Sequence, residues 1–225
     1  MPFDLDSVDP AIVCQALEPF LALERRDRIE ATVSARLRGL TLLVENLHDP
    51  QNGAALLRSA EAFGIQTVHV VESAEKFRFS SEVTQGCEKW LDLERHPTFA
   101  AARARLTVAG FALYAAVPDA GVSLWDLDFG RPVAIVVGNE RAGLSDLALL
   151  GADAQFEIPM VGMTRSLNLS VAAAIIAFHG AARRRGALGR QGDLDDAERL
   201  RLRGRFYAAS VRGAAQIVER HLSQP

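Results

Sequence analysis

The hydrophobic pattern at the start of the chain predicts two helices. An apolar stripe runs along AIVCQALEPFLAL, and Ile29, Val33 and Leu37 then recur every four residues, which is the spacing of one helix face. Pro19 lies between the two patterns, where its ring and its missing N–H break or kink a helix. We therefore expect two helical pieces within residues 9–38.

The pattern then changes to short apolar runs separated by a helix. The run TLLVENL at 41–47 has the length of a strand, and TVHVV at 67–71 is a second one. Between them we expect a helix over Ala54–Phe63, with Asn52 in the capping position and Gly64 just past its end. A strand, a helix and a strand in this order are typical of a βαβ unit and of a parallel sheet.

The same alternation continues and determines the fold class. Further strands are predicted at 89–96, 111–117, 133–137 and 155–160, with helices at 97–110 and 145–150 and a linker in SLWDLDFGRP. The sequence thus predicts an α/β fold with an open parallel sheet. A charged, glycine-rich link, RRRGALGRQGDLDD, precedes a last helix over Ala197–Leu222. Helical arms are therefore predicted both before and after the sheet in the sequence.

The stretch IPMVGMTRSLNLSVAAAIIAF, residues 158–178, stands out from the rest. Its second half predicts a helix whose buried face is formed by Leu167, Val171, Ala174, Ile175 and Phe178. We expect Ser166 to be the N-cap, because its hydroxyl can accept from an unpaired N–H of the first turn. A helix needs only one cap, yet Asn168 and Ser170 follow closely. The junction therefore indicates a loop and helix start shaped around a ligand.

Composition limits the protein class. The chain has 225 residues, of which 49% are apolar and 24% charged, as in ordinary globular proteins. No run approaches the roughly 18 apolar residues of a membrane span, and the start is acidic where an export signal would be basic. Cys14 and Cys87 support neither a disulfide framework nor a zinc site. We expect a cytoplasmic protein.

The net charge of −3 is unevenly distributed. Residues 1–24 carry five acids and no base, residues 25–40 are net +3, residues 41–180 are net −6 and residues 181–225 are net +5. Two arginine-rich flanks are compatible with a polyanionic partner, since Arg pairs bidentately with phosphate. Arginines on amphipathic helices are also commonly only a solvated face, and charge alone favours that interpretation.

Three loops after strands carry the candidate chemistry, because ligands of open parallel sheets bind at the carboxyl ends of strands. The first holds Asn52 and leads to Arg58, which a helical wheel places away from the sheet. The second, VVGNERAGLS, holds Glu140 between glycines that allow close backbone approach. The third is the loop-to-helix junction with Ser166 and Asn168. We expect these five side chains to share one edge of the sheet.

Simpler interpretations stay open for each of them. Asn52 would be only a cap, Arg58 would pair with Glu61 in solvent, and Glu140 would be an exposed loop acid. The loops match neither the GK[ST] phosphate loop nor the dinucleotide-binding GxGxxG motif. We find no triad order, paired carboxylates or metal-ligand spacing, and we expect no metal. The histidines are scattered along the chain: His48, His69, His96, His179 and His221.

The order of these motifs resembles the SPOUT class of RNA 2′-O-ribose methyltransferases, and most of all its TrmH-type tRNA (guanosine-2′-O-)-methyltransferases. The resemblance rests on an Asn-x5-Arg helix, on GNExxGLS after an apolar strand and on IPMxGxxxSLNxSVAAAI. The segment KWLDLERHP is similar to a further part of that group. The last of the three motifs is long and ordered, which makes it specific. The likeness covers about residues 25–185.

The resemblance implies a trefoil knot in the C-terminal part of the sheet, a known exception to the rule against knotted chains. It implies a helical arm at 1–40, a methyltransferase domain at 41–185 and a C-terminal helical extension at 186–225. It also implies that S-adenosylmethionine is the cofactor, held in a bent form largely by backbone groups. The residues expected to hold it are Val137, Gly138, Asn139, Ile158, Met160, Met163, Ser166 and Leu167.

A homodimer is implied as well, in which Arg58 meets the cofactor pocket of the partner subunit. By resemblance Arg58 activates the ribose hydroxyl. Because arginine keeps its proton to high pH, we expect it mainly to bind phosphate and the developing alkoxide. Asn52 would orient Arg58 or the ribose, and Glu140, Ser166 and Asn168 would shape the pocket.

The implied substrate is tRNA, most of all the D-loop guanosine at position 18. The arginine-rich arms, 25–38 and 183–220, would grip its phosphates. The alternatives are a 2′-O-methyltransferase that acts on rRNA or on the tRNA wobble nucleotide, an inactive RNA-binding knot protein, and a metabolic α/β enzyme with another cofactor. The presence of Asn52, Arg58 and the SLN segment counts against the inactive protein.

Overall fold

The computed structural model describes residues 4–74 and 76–223, which form two compact units. Residues 37–190 make the larger one, which we call the α/β unit. Residues 4–36 and 191–223, from opposite parts of the chain, together make the smaller one, the helical unit. None of the helices in the described ranges combines the length and the apolar character that a bilayer crossing needs.

A six-stranded sheet forms the centre of the α/β unit, and its strands pair in parallel. The strands are β1 (Leu40–Glu45), β2 (Thr67–Val71), β3 (Asp92–His96), β4 (Ala112–Ala116), β5 (Val133–Val137) and β6 (Ala154–Phe156). Their order is β3-β2-β1-β5-β4-β6, so β1 and β5 are central. Both are buried along their whole length, as expected for a parallel sheet covered on both faces. The predicted α/β fold with a parallel sheet is confirmed.

Helices cover both faces of the sheet. They are α3 (Pro50–Ala62), α5 (Phe99–Val108), α6 (Asp146–Gly151) and α7 (Leu169–Leu188), whereas the short α4 (Ser81–Thr84) packs on α3. Side chains alternate along each strand, so Leu42 and Val44 of β1 join the core with α3 and α7, whereas Leu43 joins the core with α5 and α6. Because α3 follows β1 and α6 follows β5, both helices start at the carboxyl edge of the sheet.

Four strands are shorter than the apolar runs that predicted them: β1 covers 40–45 rather than 41–47, β3 covers 92–96 rather than 89–96, β4 covers 112–116 rather than 111–117, and β6 stops early as well. β2 and β5 have the predicted bounds, but β6 ends at Phe156 although its apolar run predicted a strand to residue 160. Pro159 has no N–H to continue the ladder. The backbone of Glu157 pairs instead with Val122 and Leu124 on the preceding loop, at 2.8 Å in both directions.

Helix α7 begins and ends later than predicted. Asn168, not Ser166, is its N-cap, because the Asn168 Oδ1 accepts a backbone N–H of the first turn at 2.8 Å. The helix continues through the arginines assigned to a link and ends at Gly189, whose φ of 63° is left-handed. Arg184 lies buried in this extension and donates to the carbonyl of Gly130 at 3.0 Å, which holds the extension in place.

The buried face of α7 also differs from the prediction. Ala173, Ile176 and Ala177 pack in the core, whereas Val171 and Phe178, which were expected to be buried, are 48% and 61% exposed. The first turns of α7 are apolar on nearly every side. Their periodicity therefore does not determine which side faces the sheet.

Four helices make up the helical unit: α1 (Pro10–Leu17), α2 (Leu23–Ser34), α8 (Asp196–Ser210) and α9 (Ala214–Leu222). The break predicted at Pro19 is confirmed, since a 3-10 turn, Glu18–Phe20, separates α1 from α2. The prediction of a single last helix is wrong, because the helix is interrupted between α8 and α9. Gly213, with a φ of 72°, precedes the start of α9. α8 packs against α1 and α2, and Arg203 donates two hydrogen bonds of 2.7 Å to Glu30.

Candidate functional site

A cavity of about 810 Å³ opens at the carboxyl edge of the sheet. Three segments make most of its wall: 116–119 after β4, 137–144 after β5 and 156–169 after β6. Its volume is within the range of small-molecule and cofactor pockets, roughly 300–1,000 Å³. All the residues expected to hold a cofactor line it: Val137, Gly138, Asn139, Ile158, Met160, Met163, Ser166 and Leu167.

Asn52 also lines the cavity, but it is not a helix cap. Asp49 caps α3, since its Oδ1 accepts the N–H of Gln51 at 2.8 Å, and Pro50 occupies the first turn where its missing N–H costs nothing. Asn52 lies within that turn and is only 8% exposed. The predicted capping role is therefore wrong, and the buried amide serves the neighbouring loops instead.

The Asn52 amide connects the three loops at the cavity. Its Nδ2 donates to Glu140 Oε1 at 2.9 Å, and its Oδ1 accepts from Asn168 Nδ2 at 3.1 Å. Asn168 Oδ1 in turn accepts from the N–H and the hydroxyl of Ser170, at 2.8 and 2.6 Å. An ionised carboxylate can only accept, so Glu140 fixes the orientation of the Asn52 amide and hence that of Asn168. The starts of α3 and α7 are tied to the loop after β5.

Glu140 is more than an exposed loop acid. Besides Asn52, it accepts the backbone N–H groups of His48 and Asp49, at 3.2 and 3.3 Å. Burial alone would raise the pKa of Glu140, but hydrogen bonds from the Asn52 amide and from the N–H groups of Glu140, His48 and Asp49 outweigh it and lower this pKa. The charged carboxylate therefore bridges the loop after β1 to the loop after β5.

Gly138 allows the loop after β5 to fold back on itself. Asn139 and Gly143 exchange backbone hydrogen bonds of 2.9 Å in both directions. A Cβ on Gly138 would lie 2.4 Å from the backbone of Gly143 and 2.6 Å from the nitrogen of Leu144. Any side chain at Gly138 would displace this backbone, which is a wall of the cavity.

Arg58 lies outside the cavity that the other predicted polar residues share. It is exposed on α3 and donates to the carbonyl of Val83 at 3.0 Å. It follows Asn52 by six positions, which corresponds to about 9 Å along the helix and about 240° around it. Ser166, although it is not a cap, lies in the cavity wall with Asn168. The structure thus brings Asn52, Glu140, Ser166 and Asn168 together and leaves Arg58 on another side of α3.

Several acidic side chains near this site were not predicted from the sequence. Asp119 and Glu157 line the cavity, and Asp119 has a φ of 56° in the left-handed region. Glu45, the last residue of β1, is 3% exposed and accepts hydrogen bonds from Ser145. The one sign of Glu45 in the sequence is that it is the single acid in the apolar run TLLVENL.

Two histidines expected to be scattered lie together on β2 and β3. His69 Nδ1 and His96 Nε2 are 3.0 Å apart, and Glu94 Oε2 is 3.5 Å from His69 Nδ1. Nitrogens bound to one zinc ion at about 2.0–2.1 Å lie about 3.3–3.4 Å apart, so the shorter distance fits a hydrogen bond better. Burial, with His96 and Arg105 nearby, lowers the pKa of His69 to about 4. This pair is neutral near pH 7.

Comparison with known proteins identifies the family. Residues 39–178 match the SpoU rRNA Methylase family. A tRNA (guanosine(18)-2'-O)-methyltransferase of Thermus thermophilus is 39% identical over 155 residues, which are 68% of this chain and 80% of that protein. The protein of the same name from Escherichia coli is 34% identical over 182 residues, which are 79% of this chain and 80% of that one.

Solved structures agree with this match. The Aquifex aeolicus TrmH/SpoU tRNA modifying enzyme superimposes with a TM-score of 0.74 at 27% identity, over 84% of this chain and 98% of that one. An S-adenosylmethionine-bound rRNA methyltransferase from Sinorhizobium meliloti does so with a TM-score of 0.57 at 25% identity, over 69% and 59% of the two chains. With its cavity, its parallel sheet and this family match together, the chain belongs to the SpoU methylase family of RNA methyltransferases.

Proposed function

We propose that this protein transfers the methyl group of S-adenosylmethionine to the ribose 2′-oxygen of guanosine 18 in tRNA. Relatives named for this reaction support the substrate, and they include the Thermus protein at 39% identity. The observation that carries the proposal is the cavity at the carboxyl edge, where Asn52 joins the loop after β5 to the start of α7.

The cavity suits S-adenosylmethionine in size and lining. Gly138 keeps room for a ligand against a wall of folded-back backbone, and Ile158, Met160 and Leu167 add apolar surface. We assign the backbone around Val137–Asn139 and 158–163, with Ser166 and Leu167, to holding the cofactor. When bound, it supplies an electrophilic methyl group, so the protein has to orient the ribose and manage its proton and charge.

Arg58 reaches the reaction from a partner subunit in this proposal. It lies on another side of α3 from Asn52 and outside the cavity of its own chain. Its guanidinium binds a substrate phosphate and stabilises the 2′-oxygen as that oxygen loses its proton. Asn52, Glu140 and Asn168 hold the loops in place as one polar network, and Ser166 offers a hydroxyl at the cavity.

Exposed apolar side chains support a homodimer. Phe178 is 61% exposed, Trp125 is 50% exposed and Val171 is 48% exposed. Trp125 packs edge-on against His179 with 4.5 Å between ring centroids, and Phe178 contacts Phe63 of the α3 end at 5.4 Å. Apolar surface of this kind marks interfaces, and α3, which carries Arg58, packs beside α7. A second copy that covers this face would bring its own Arg58 close to the junction.

The trefoil knot belongs to the same proposal. It is supported by the strand order, by the pairing of Glu157 with the loop at 122–124, and by the return of the chain to α7 against α3 and β1. We likewise propose residues 41–185 as the methyltransferase domain, with residues 1–40 and 186–225 as its flanking arms. The exposed arginines within the ranges 25–38 and 183–220 would bind tRNA phosphates, whereas Arg36 and Arg184 are buried and do not take part. Because the proposed substrate is tRNA, we also propose a cytoplasmic location.

Replacing Gly138 with Ala should weaken S-adenosylmethionine binding by about 100-fold, since the added Cβ displaces the cavity wall by an appreciable distance. Isothermal titration calorimetry measures the change. Gly186→Ala is the control, because a Cβ there meets no atom within 4 Å. Wild-type affinity in Gly138→Ala would place the cofactor elsewhere.

Replacing Arg58 with Ala should lower methyl transfer by about 1,000-fold while cofactor affinity stays unchanged, because the lost contact acts on the reacting oxygen. A labelled-methyl assay on tRNA measures it. Arg103→Ala is the matched control: Arg103 is also an exposed helical arginine and donates to one carbonyl, that of Gly151, at 2.9 Å.

The same assay tests the target nucleotide. The wild-type protein should label tRNA with guanosine at position 18 and leave unlabelled a tRNA with 2′-deoxyguanosine there. Full labelling of the deoxy substrate would reject this position, and near-normal turnover of Arg58→Ala would remove Arg58 from the mechanism.

Combining Arg58→Ala with Gly138→Ala should restore activity if the site is shared between subunits, when the cofactor concentration is too low to saturate Gly138→Ala. In a heterodimer of Arg58→Ala with Gly138→Ala, one site combines an intact cofactor pocket with the partner's intact Arg58. Random pairing gives about half heterodimers with one good site each, hence about a quarter of wild-type activity. The measurement is methyl transfer after co-expression and purification. Failure to exceed the separate variants would place both groups in one chain.

Affinity for tRNA should fall steeply with salt, because arginine–phosphate contacts release counterions. In filter binding, Arg28→Gln and Arg201→Gln, both exposed in the helical unit, should each lower the slope of log affinity against log salt by about one. Arg103→Gln, in the α/β unit, should leave the slope unchanged. A flat salt dependence of the wild-type protein would argue against the arms as the RNA contact.

A further inference from the structure

Glu45 is a buried acid that the chemistry described so far does not use. It is the last residue of β1, is 3% exposed, and pairs in register with Val71 of β2. Its Oε2 accepts the backbone N–H of Ser145 at 2.9 Å, and its Oε1 accepts the Ser145 hydroxyl at 2.7 Å. Both oxygens of the carboxyl group therefore bind a single residue, one hundred positions later in the chain.

An acid is not the simplest choice for this buried position. Burial of a carboxyl group is costly unless hydrogen bonds replace the lost water, and an apolar side chain avoids that cost. The neighbouring strands carry Val71 and Val137 at their own carboxyl ends. An apolar residue, however, could not accept the two hydrogen bonds from the N–H and the hydroxyl of Ser145. The geometry of Ser145 is therefore the reason for an acid at position 45.

Ser145 closes the loop that forms one wall of the cavity. It caps α6, since its hydroxyl accepts the N–H of Ala148 at 3.2 Å, and it directly follows residues 138–144. The other end of this loop is held as well, because Asn139 Nδ2 donates to the carbonyl of Asn46 at 2.6 Å. Two successive residues at the end of β1 thus hold both ends of the loop.

We propose that Glu45 is a positioning residue for the methyl transfer. Through Ser145 it sets the backbone of residues 138–144, which line the cavity and carry Glu140. Glu45 itself is not part of the cavity wall. It acts from the opposite face of the sheet, since it shares the side of Leu43, which packs with the α5 and α6 core. This inference rests on the proposed function for its effect on catalysis.

Glu45→Gln is the first test, because Gln keeps the shape and removes the charge-assisted acceptor. We expect the dissociation constant and the KM for S-adenosylmethionine to rise about tenfold, with the KM for tRNA unchanged. Ser145→Ala removes the hydroxyl from the other side and leaves β1 intact. The two changes should be non-additive, so that the double variant binds the cofactor no more weakly than about the worse single variant.

Thr41→Val is the matched control. Thr41 lies at the opposite end of β1, is fully buried and donates to the carbonyl of Thr67 at 2.6 Å. This variant should lower the melting temperature while the cofactor KM and dissociation constant stay at wild-type values. If Glu45→Gln behaves in the same way as Thr41→Val, Glu45 is merely structural and the proposal is overturned.

Hydrogen exchange of the protein without cofactor separates this inference from the proposed function. In Glu45→Gln and in Ser145→Ala, the amides of residues 139–145 should exchange about tenfold faster, with the rest of the α/β unit unchanged. Wild-type exchange in this loop, or faster exchange throughout the unit, would overturn the positioning role. A wild-type protein that binds no S-adenosylmethionine would instead refute the proposed function, and the exchange result would still decide whether Glu45 holds the loop.

Discussion

The site depends on a short chain of hydrogen bonds whose direction is fixed at one end. The Glu140 carboxylate can only accept, so the Asn52 amide must donate to it and must present its oxygen to Asn168. Each hydrogen bond connects two different segments. The loop after β1, the loop after β5 and the start of α7 are therefore held in fixed positions relative to one another. Asn52 is the buried member of this chain of hydrogen bonds, and a buried amide that loses a partner is costly. Loss of either Glu140 or Asn168 would therefore destabilise the arrangement of the loops.

The rigid part beneath the network is the pair β1 and β5. Both strands are buried along their whole length and lie side by side at the centre of the sheet. Their carboxyl ends carry Glu45, Asn46 and Gly138, which determine where the loop after β5 starts and ends. The polar groups of the site thus lie directly after the apolar strands end. This division is what parallel sheets with ligands at their carboxyl edge have in common.

Much of this could be derived from the sequence, for reasons that the structure makes clear. Apolar runs bounded by turns specify parallel strands, so β2 and β5 were predicted with the right bounds. The resemblance implied the residues expected to hold the cofactor, and all of them line the cavity, where four of the five polar candidates also meet. The direction of Arg58 away from the sheet could be derived from a helical wheel, but the direction of the Asn52 side chain could not. Asn52 was predicted to be a cap because asparagine is used both to cap helices and to hydrogen-bond neighbouring loops. The structure shows that Asp49, one turn earlier, caps α3, which leaves the Asn52 amide for the loops.

Tertiary contacts decided the remaining differences. α7 has apolar side chains on almost all sides, and the choice of Ile176 over Phe178 as the buried one depends on the sheet beneath it. The arginines after it looked like a link, but Arg184 finds backbone carbonyls of the α/β unit. Glu45 was overlooked because a single acid in an apolar strand has no periodic signal. Its meaning depends on a partner one hundred residues away.

The helical unit has a consequence for how the protein is made. α1 and α2 come from the early part of the chain, and α8 and α9 come from the late part. On a ribosome, the first two helices emerge without their packing partners and stay without them until the late helices are synthesised. The α/β unit, which is continuous in sequence, can fold in the meantime. The two halves of the helical unit then join, for example where the N–H of Asp193 donates to the carbonyl of Arg36 at 3.0 Å. The helical unit can therefore assemble only after its late helices have been synthesised.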